Sequence, residues 1–251
     1  MNICLFTQEE IGKTLPNSDE RTQHIIKVLH KGEGDSFDAG IIGGKAGIAK
    51  ITKIDENGME FEFSQFEDEE KASGKPLYPL TLIIGFPRPI QLRRLLRDVA
   101  GLGVQKIILS GTELGEKSYM NSNDVKDGAA EKMLLDGTVQ AASTHVPSLV
   151  LVKSLREAVK VSVQDSESES VEKCALDNRR AKMSLQKYLE STACKNIVAA
   201  IGSERGWTDN ERDYLESNGF TLCSMGSRVL RTETAATVAS SIILDGMGVL
   251  N

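Results

Sequence analysis

Histidine, cysteine and tryptophan are scarce in this 251-residue sequence, which contains three histidines, four cysteines and one tryptophan. The cysteines form no Cys-x-x-Cys pair, and most of them have apolar neighbours. Metal sites need several such side chains close together, so we expect no metal ion. We predict reduced, buried thiols. They are Cys4, Cys174, Cys194 and Cys223.

Long apolar runs are also absent. No run reaches the roughly 20 residues that a membrane-spanning helix needs, and residues 1–10 lack the basic start and the apolar stretch of a signal peptide. We therefore expect a cytoplasmic protein that makes no membrane contact.

Several common enzyme motifs are missing. The first strand of the α/β region runs into Phe86-Pro-Arg-Pro89 instead of Gly-x-Gly-x-x-Gly, which argues against a dinucleotide fold and an ordinary Rossmann methyltransferase. Neither Gly-x-x-x-x-Gly-Lys-Ser/Thr nor Gly-x-Ser-x-Gly occurs, which argues against P-loop nucleotide hydrolases and α/β-hydrolases.

Charge is unevenly distributed along this chain of net charge -6. Residues 55–70 carry eight acidic and no basic side chains, and we interpret them as a solvated surface. Residues 88–106 carry five basic side chains against one acidic side chain. This basic segment is a candidate surface for a polyanion.

Residues 1–73 are rich in glycine and in short alternating segments, a pattern typical of a small β-barrel. The predicted strands include 36–38, 45–52 and 59–63. A helix is predicted at 20–30, after Ser18 or Asp19 as its cap. The apolar residues of this helix that we expect to face the barrel are Ile25, Ile26, Val28 and Leu29.

Residues 77–251 alternate apolar runs with helical patterns, which is typical of a parallel sheet covered by helices. An acidic linker ending at Gly74 and Pro76 separates the two domains. The predicted strands are 80–85, 106–109, 149–152, 173–176, 197–201 and 220–225. The predicted helices are 91–102, 127–143, 154–159, 183–189, 209–218 and 234–244, and a loop is expected at 163–172.

Two glycine-centred loops follow the last two predicted strands. They are Gly202-Ser-Glu-Arg-Gly-Trp207 and the segment that begins at Gly226. Open α/β sheets bind ligands at the carboxyl ends of their strands, so two such loops predict one shared pocket. Their glycines let backbone groups approach a flat heterocycle, and apolar side chains such as Met225 and Leu230 provide its walls.

These loops resemble those of a known family. Gly202-Ser-Glu-Arg-Gly206 is similar to the Gly-Pro-Glu-Gly-Gly loop of the 16S ribosomal RNA uridine-N3 methyltransferases (RsmE), in the SPOUT superfamily. Met225-Gly-Ser-Arg-Val-Leu-Arg-Thr-Glu-Thr-Ala235 resembles their Leu-Gly-x-x-Ile-Leu-Arg-x-Glu-Thr-Ala loop. The resemblance covers nearly the whole chain. It implies a PUA-like, RNA-binding β-barrel at 1–73, a SPOUT α/β trefoil-knot domain at 77–251, and a homodimer.

The resemblance also implies a function, which is methylation of uridine N3 in 16S ribosomal RNA with S-adenosylmethionine as cofactor. The expected partner is ribosomal RNA or the small ribosomal subunit. The chain departs from the family pattern at Gly101, His30, Thr144, Ser203 and Arg205. An RNA-binding paralogue with lost or altered activity is therefore the alternative. The implied cofactor-binding residues are Ile201, Gly202, Glu204, Gly206, Met225, Gly226, Val229, Leu230, Thr232, Thr234 and Ala235.

Methylation at N3 requires removal of a proton and stabilisation of the negative charge that develops on the base. We assign Arg231 to orienting the base or its phosphate, and Glu204 or Glu233 to assisting proton removal. In the alternative, structural interpretation, Glu233 favours the helix dipole and Arg231 pairs with a nearby carboxylate.

RNA contacts are expected from basic side chains in both domains. Arg93 and Arg97 are four residues apart, so they share one face of a helix whose other face is apolar. The alternative is that these arginines pair with acidic residues across a dimer interface. The candidate RNA-binding residues are Arg21, His24 and Lys27 in the first domain and Arg88, Arg93, Arg94 and Arg97 in the second.

Overall fold

The computed structural model describes residues 2–163, 171–193 and 195–250. The chain forms two compact units. Met1–Pro76 and Thr138–Val146 make the first, and Leu77–Gly137 and Pro147–Asn251 make the second. Residues 138–146 lie between two segments of the second unit in the sequence, but they belong to the first unit. Cys194 and most of the expected loop at 163–172 lie outside the described residues.

The first unit contains a four-stranded sheet of order β1-β2-β3-β4. Its first two strands are parallel and the other pairs are antiparallel. Phe6, Phe37 and Phe61 pack together in its core. The sheet is a half-barrel, so the β architecture is present but a closed barrel is not confirmed. The strands are β1 (Cys4–Phe6), β2 (Ser36–Ile41), β3 (Ala46–Asp55) and β4 (Gly58–Gln65), and the α-helices are α1 (Glu20–Gln23) and α2 (Glu69–Ala72).

Helix α1 continues into a π-helical turn, His24–Val28, in which the N–H of Leu29 donates to the carbonyl of His24. A π turn holds more residues than an α turn, so it rotates the side chains that follow away from their expected direction. Ile25 is fully buried, but Val28 and Leu29 are 61% and 42% exposed. The prediction that Val28 and Leu29 face the core is therefore wrong.

The second unit contains a seven-stranded sheet of order β7-β6-β5-β10-β8-β11-β9, in which every pair is parallel. All six predicted strands are present, which confirms the α/β class. The strands are β5 (Tyr78–Gly85), β6 (Val104–Ser110), β7 (Ser148–Val152), β8 (Glu172–Leu176), β9 (Met183–Ser184), β10 (Ile197–Ile201) and β11 (Thr221–Ser224). The sequence analysis missed β9, which has only two residues.

All six helices that the sequence predicts in this region are present as α-helices within the described residues. They are α3 (Pro89–Gly101), α4 (Ala129–Gln140), α5 (Leu155–Ser162), α6 (Leu185–Glu190), α7 (Asp209–Ser217) and α8 (Thr232–Gly246). Helix α6 begins two residues later than predicted, because Ser184 caps it by accepting a hydrogen bond from the N–H of Lys187. None of the helices in the described part of the chain combines the length and the apolar character that a bilayer crossing requires.

Small residues bring the helices close to their neighbours. Ala236, Ala239 and Ser240 of α8 are fully buried. A Cβ on Gly137 of α4 would lie 2.3 Å from the carbonyl oxygen of Arg97, so α3 and α4 meet without a side chain between them at that point. Leu92, Leu95, Leu96 and Val99 of α3 are buried, as its periodicity predicts. Cys4, Cys174 and Cys223 are buried, reduced thiols, as predicted.

Candidate active site

A cavity of about 390 Å³ opens at the carboxyl ends of β8, β10 and β11, which are neighbours in the sheet. The loops after these three strands and the start of α8 form its walls. Its lining residues that the sequence analysis assigned to a cofactor are Ile201, Gly202, Glu204, Gly206, Met225, Val229, Leu230, Thr232 and Ala235. Two other assigned residues, Gly226 and Thr234, do not line it.

The loop after β10 is held in a tight turn by its two glycines. The N–H of Gly206 donates to the carbonyl of Ser203 at 2.8 Å, and Gly206 has a φ of 72°. A Cβ on Gly202 would lie 3.0 Å from the Cα of Gly206. A side chain would crowd the turn at Gly202 and would strain the backbone at Gly206, so the two glycines shape this wall of the cavity.

The loop after β8 supplies a third wall that sequence reasoning missed. Asp177 accepts hydrogen bonds from the N–H groups of Arg179 and Arg180, and from Nε of Arg212 at 2.6 Å. The side chains of Asp177 and Arg212 are only 2% and 4% exposed. Burial opposes ionisation of Asp177, but the N–H of Arg180 and the Arg212 guanidinium outweigh it and hold the pKa of this carboxyl below its usual range. The ion pair therefore fixes the loop.

Trp207 connects the loops after β8 and β10. Its indole Nε1 donates to the carbonyl of Leu176 at 3.0 Å, and its ring is buried. Trp207 also lines the cavity. Its position directly after the glycine loop was the available sequence signal.

Besides the buried Arg212, three exposed arginines that the sequence analysis did not assign also line the cavity. They are Arg179, Arg205 and Arg228, one from each loop. Within the described residues, none of their guanidinium groups forms an ion pair. The two carboxylates of the lining are already engaged, Asp177 as described and Glu204 by the N–H of Arg88 at 2.9 Å. The mouth of the cavity therefore carries free positive charge.

The three predicted catalytic residues lie in different environments. Glu204 lines the cavity and its side chain is 31% exposed. Arg231 is the exposed N-cap of α8 and lies between two lining residues, Leu230 and Thr232, without lining the cavity itself. Glu233 is 5% exposed in the first turn of α8 and does not line the cavity.

The predicted RNA-binding residues of the first unit are less available than expected. Arg21 forms hydrogen bonds with both oxygens of Glu10 and of Asp19, and these bonds raise its pKa well above the usual range. Burial lowers the pKa of His24, and its Nε2 has no hydrogen-bond partner in the described part of the chain. A neutral, half-buried His24 offers no charge to a phosphate, whereas Lys27 is exposed.

The predicted RNA-binding residues in α3 and at its N-cap, Arg88, are exposed. Arg93 pairs with Asp136 at 3.3 Å, Arg94 with Asp98 at 3.7 Å, and Arg88 approaches Glu204 at 3.9 Å. Arg97 forms no ion pair with any described residue. Exposed pairs of this kind are weak, so the arginines of α3 are free to exchange partners.

Comparison with known proteins identifies related sequences over almost the full chain. A family model described as RNA methyltransferase domain matches residues 73–244. Ribosomal RNA small subunit methyltransferase E of Treponema pallidum is 41% identical over 249 residues, which are 97% of this chain and 91% of the relative. Ribosomal RNA small subunit methyltransferase E 1 of Borreliella burgdorferi is 34% identical over 248 residues, which are 97% of each chain.

Solved structures share the fold. Ribosomal RNA small subunit methyltransferase E from Neisseria gonorrhoeae, solved bound to S-adenosyl methionine, has a TM-score of 0.77 at 22% identity, covering 98% of this chain and 97% of that one. A probable rRNA-methyltransferase from Porphyromonas gingivalis has a TM-score of 0.78 at 17% identity and covers both chains completely.

Proposed function

The chain belongs to the ribosomal RNA small subunit methyltransferase E family, and we propose that it methylates N3 of a uridine in 16S ribosomal RNA with S-adenosylmethionine as methyl donor. The observation that carries this proposal is the cavity at the carboxyl ends of β8, β10 and β11. Two of the loops that form it resemble the family's cofactor loops, and free guanidinium groups surround its mouth.

The residues of the cavity fit this cofactor. A volume of about 390 Å³ falls within the range of small-molecule sites. Ile201, Met225 and Leu230 offer apolar walls for adenine, and Gly202 and Gly206 expose backbone groups to its edge. The carboxylate of the methionine moiety suits the arginines at the mouth. When bound, the cofactor supplies an electrophilic methyl group on a sulfonium.

Glu204 is the better supported of the two glutamates for assisting proton removal from N3. Its carboxylate lines the cavity, and the N–H of Arg88 donates to Oε1, which fixes its orientation and leaves Oε2 for a substrate proton. Glu233 is buried next to the amino end of α8, where its charge favours the helix dipole. We retain Glu233 as a positioning group for that helix end.

We assign Arg231 to the developing negative charge on the base. It is exposed, lies between two lining residues and has no described carboxylate partner, so its guanidinium is free to meet a substrate. A planar guanidinium can donate two parallel hydrogen bonds to two oxygens of a phosphate, or a single hydrogen bond to a uracil carbonyl.

The RNA surface that we propose on the second unit combines Arg179, Arg205 and Arg228 with the exposed basic side chains Arg88, Arg93, Arg94 and Arg97, and Lys27 is the RNA contact that we propose on the first unit. Family membership also supports three finer proposals. They are a PUA-like barrel built on the half-barrel of the first unit, a trefoil knot in the second unit, and a cytoplasmic homodimer.

Two measurements test the function. Calorimetry with S-adenosylmethionine measures cofactor binding, and absence of binding would remove the enzyme assignment. Small ribosomal subunits from a strain that lacks this gene are then incubated with protein and cofactor, and the 16S RNA is digested for mass spectrometry. We expect N3-methyluridine to appear at one position. Cofactor binding without methylation would favour the RNA-binding paralogue.

A further inference from the structure

A second cavity, of about 370 Å³, opens on the same edge of the second unit's sheet, at the carboxyl ends of β6 and β7. None of the residues assigned above to the cofactor, to catalysis or to RNA lines it. Its walls come from the segment after β6, from the start of α5 and from one face of α7.

Positive charge dominates this cavity. Lys117, Lys153 and Arg156 line it and are exposed, and within the described residues none of their side chains forms an ion pair with a carboxylate. The Arg156 guanidinium lies 4.5 Å from the centroid of the Tyr214 ring, which also lines the cavity. The ring holds this cation over the cavity without neutralising it.

The two carboxylates of the lining are engaged within the protein. Both oxygens of the buried Glu211 accept backbone hydrogen bonds, from the N–H of Glu113 and from the N–H of Thr208, each at 2.9 Å. Glu113 accepts a hydrogen bond of 2.6 Å from the Thr208 hydroxyl. These hydrogen bonds hold the wall of the cavity together, and the three cations outnumber the two carboxylates at the opening.

The wall of this cavity is bonded to the loop that lines the first one. The hydroxyl of Thr112 donates a hydrogen bond to that of Ser203 at 3.1 Å, and the Glu113 carboxylate accepts one from the Thr208 hydroxyl. A ligand in the second cavity would thus lie next to the methyl-transfer site, along the same edge of the sheet.

We propose that this cavity binds a backbone phosphate of the RNA strand that carries the target uridine. The proposal rests on the function proposed above. Two lysines and an arginine held on an aromatic ring match a phosphodiester, which is a compact anion with oxygens available on several sides. Binding of that phosphate fixes the strand while the target base enters the first cavity.

The test compares two triple variants of equal charge change. Lys117→Gln, Lys153→Gln and Arg156→Gln remove the cations of the cavity. Lys160→Gln, Lys187→Gln and Lys195→Gln remove three exposed lysines elsewhere on the same unit. Binding of fluorescein-labelled oligouridine is measured by anisotropy over a series of salt concentrations. We expect roughly tenfold weaker binding for the cavity variant, and a salt slope reduced by about 0.7, because loss of one single-strand phosphate contact lowers the slope by about that amount. The control should stay close to wild type.

Equal effects of the two triple variants, or no effect of the cavity variant, would overturn the proposal. If the cavity variant fails to fold, the double variant Lys117→Gln with Lys153→Gln keeps the Arg156–Tyr214 contact, and a smaller loss of affinity and a smaller reduction of the salt slope are expected. Oligouridine binding needs neither cofactor nor methyl transfer. A wild-type protein that fails to bind S-adenosylmethionine would therefore contradict the proposed function and leave this measurement interpretable.

Discussion

Arg21 in the first unit and the exposed arginines at the mouth of the first cavity in the second unit are used in opposite ways. In the first unit, the Arg21 guanidinium donates hydrogen bonds to the carboxylates of Glu10 and Asp19 and to the carbonyl of Leu5. At the mouth of the first cavity in the second unit, Arg179, Arg205 and Arg228 have no carboxylate partner among the described residues. The charge of Arg21 stabilises the fold, whereas charge left free beside a cavity is available to a ligand. The two groups differ in exposure, and they also differ in the partner of each guanidinium.

The buried pair of Asp177 and Arg212 is the strongest case of an engaged arginine, and breaking it should have the largest effect. Asp177→Asn leaves the Arg212 guanidinium buried without its nearest carboxylate, which we expect to cost about 3–5 kcal/mol of unfolding free energy. Urea denaturation measures this loss. The control is Asp213→Asn, which removes an exposed partner of Arg180. An equal loss in both variants would mean that burial of the pair is not what matters.

The free arginines should show the reverse behaviour, with the largest effect at Arg231. We expect Arg231→Ala to lower the methyl-transfer rate by roughly 10²–10³, as does loss of a donor to a developing negative charge. Its unfolding free energy and its cofactor affinity should stay close to wild type, because the side chain is exposed and does not line the cavity. Single-turnover rates and calorimetry separate these quantities. Parallel loss of rate and cofactor affinity would assign Arg231 to the structure of the loop.

A pair of glycines tests whether the loop after β11 belongs to the cofactor site. Gly226 and Gly219 both have positive φ, 95° and 83°, and a Cβ on either meets no atom within 4 Å. Valine at either position is strained by about 1–3 kcal/mol, so both variants should lose similar stability. Only Gly226→Val should also weaken S-adenosylmethionine binding in calorimetry, because only Gly226 lies between residues that line the cavity. Normal binding by that variant would show that the loop is misassigned.

Arg21 provides the most direct test of the comparison. We expect Arg21→Met to lower the unfolding free energy by about 2 kcal/mol, the range of a charged hydrogen bond in a partly buried site, and to leave RNA affinity unchanged. Arg205→Gln should do the opposite, with weaker RNA binding and unchanged stability. For both variants, urea denaturation measures the unfolding free energy and fluorescence anisotropy measures the RNA affinity. Opposite changes in these two quantities are expected. Weaker RNA binding by Arg21→Met at wild-type stability would break the comparison and restore Arg21 to the RNA surface.

The part of this site that sequence could predict depended on local signals. The runs at β10 and β11 are apolar and end at glycine, so both following loops were found. The wall at Asp177 was missed because β8 lies between β10 and β11 in the sheet, although it precedes both in sequence. Nothing local to Asp177 indicates this strand order.

Side-chain pairing was equally hidden from the sequence. The main partner of Arg21 is Glu10, eleven residues earlier. Most of the segment between them is not predicted as a helix, so the sequence does not indicate that the two side chains meet. The exposure of Val28 and Leu29 depends on a π turn that the apolar pattern does not reveal. In each of these cases the answer came from tertiary structure, whereas the repeating pattern of strands and helices was available from the chain alone.

Acid titration is the last test of the comparison, and its effect near neutral pH is the smallest. Hydrogen bonds from Arg21 lower the pKa values of Glu10 and Asp19, and burial only partly offsets this. A carboxyl with a lowered folded pKa adds stability that is fully present above its unfolded pKa, about 4, and that is lost as the pH falls through the folded pKa. We therefore expect wild-type unfolding free energy, followed by urea denaturation, to decrease below about pH 4.

The unfolding free energy of the Arg21→Met variant should decrease less steeply in that pH range. Without the guanidinium, the pKa values of Glu10 and Asp19 lie closer to those in the unfolded chain. Subtracting the two profiles cancels the contribution of His24, which both proteins retain. Parallel profiles would mean that Arg21 does not set the ionisation of Glu10 and Asp19, and the contrast between engaged and free arginines would then lack its electrostatic basis.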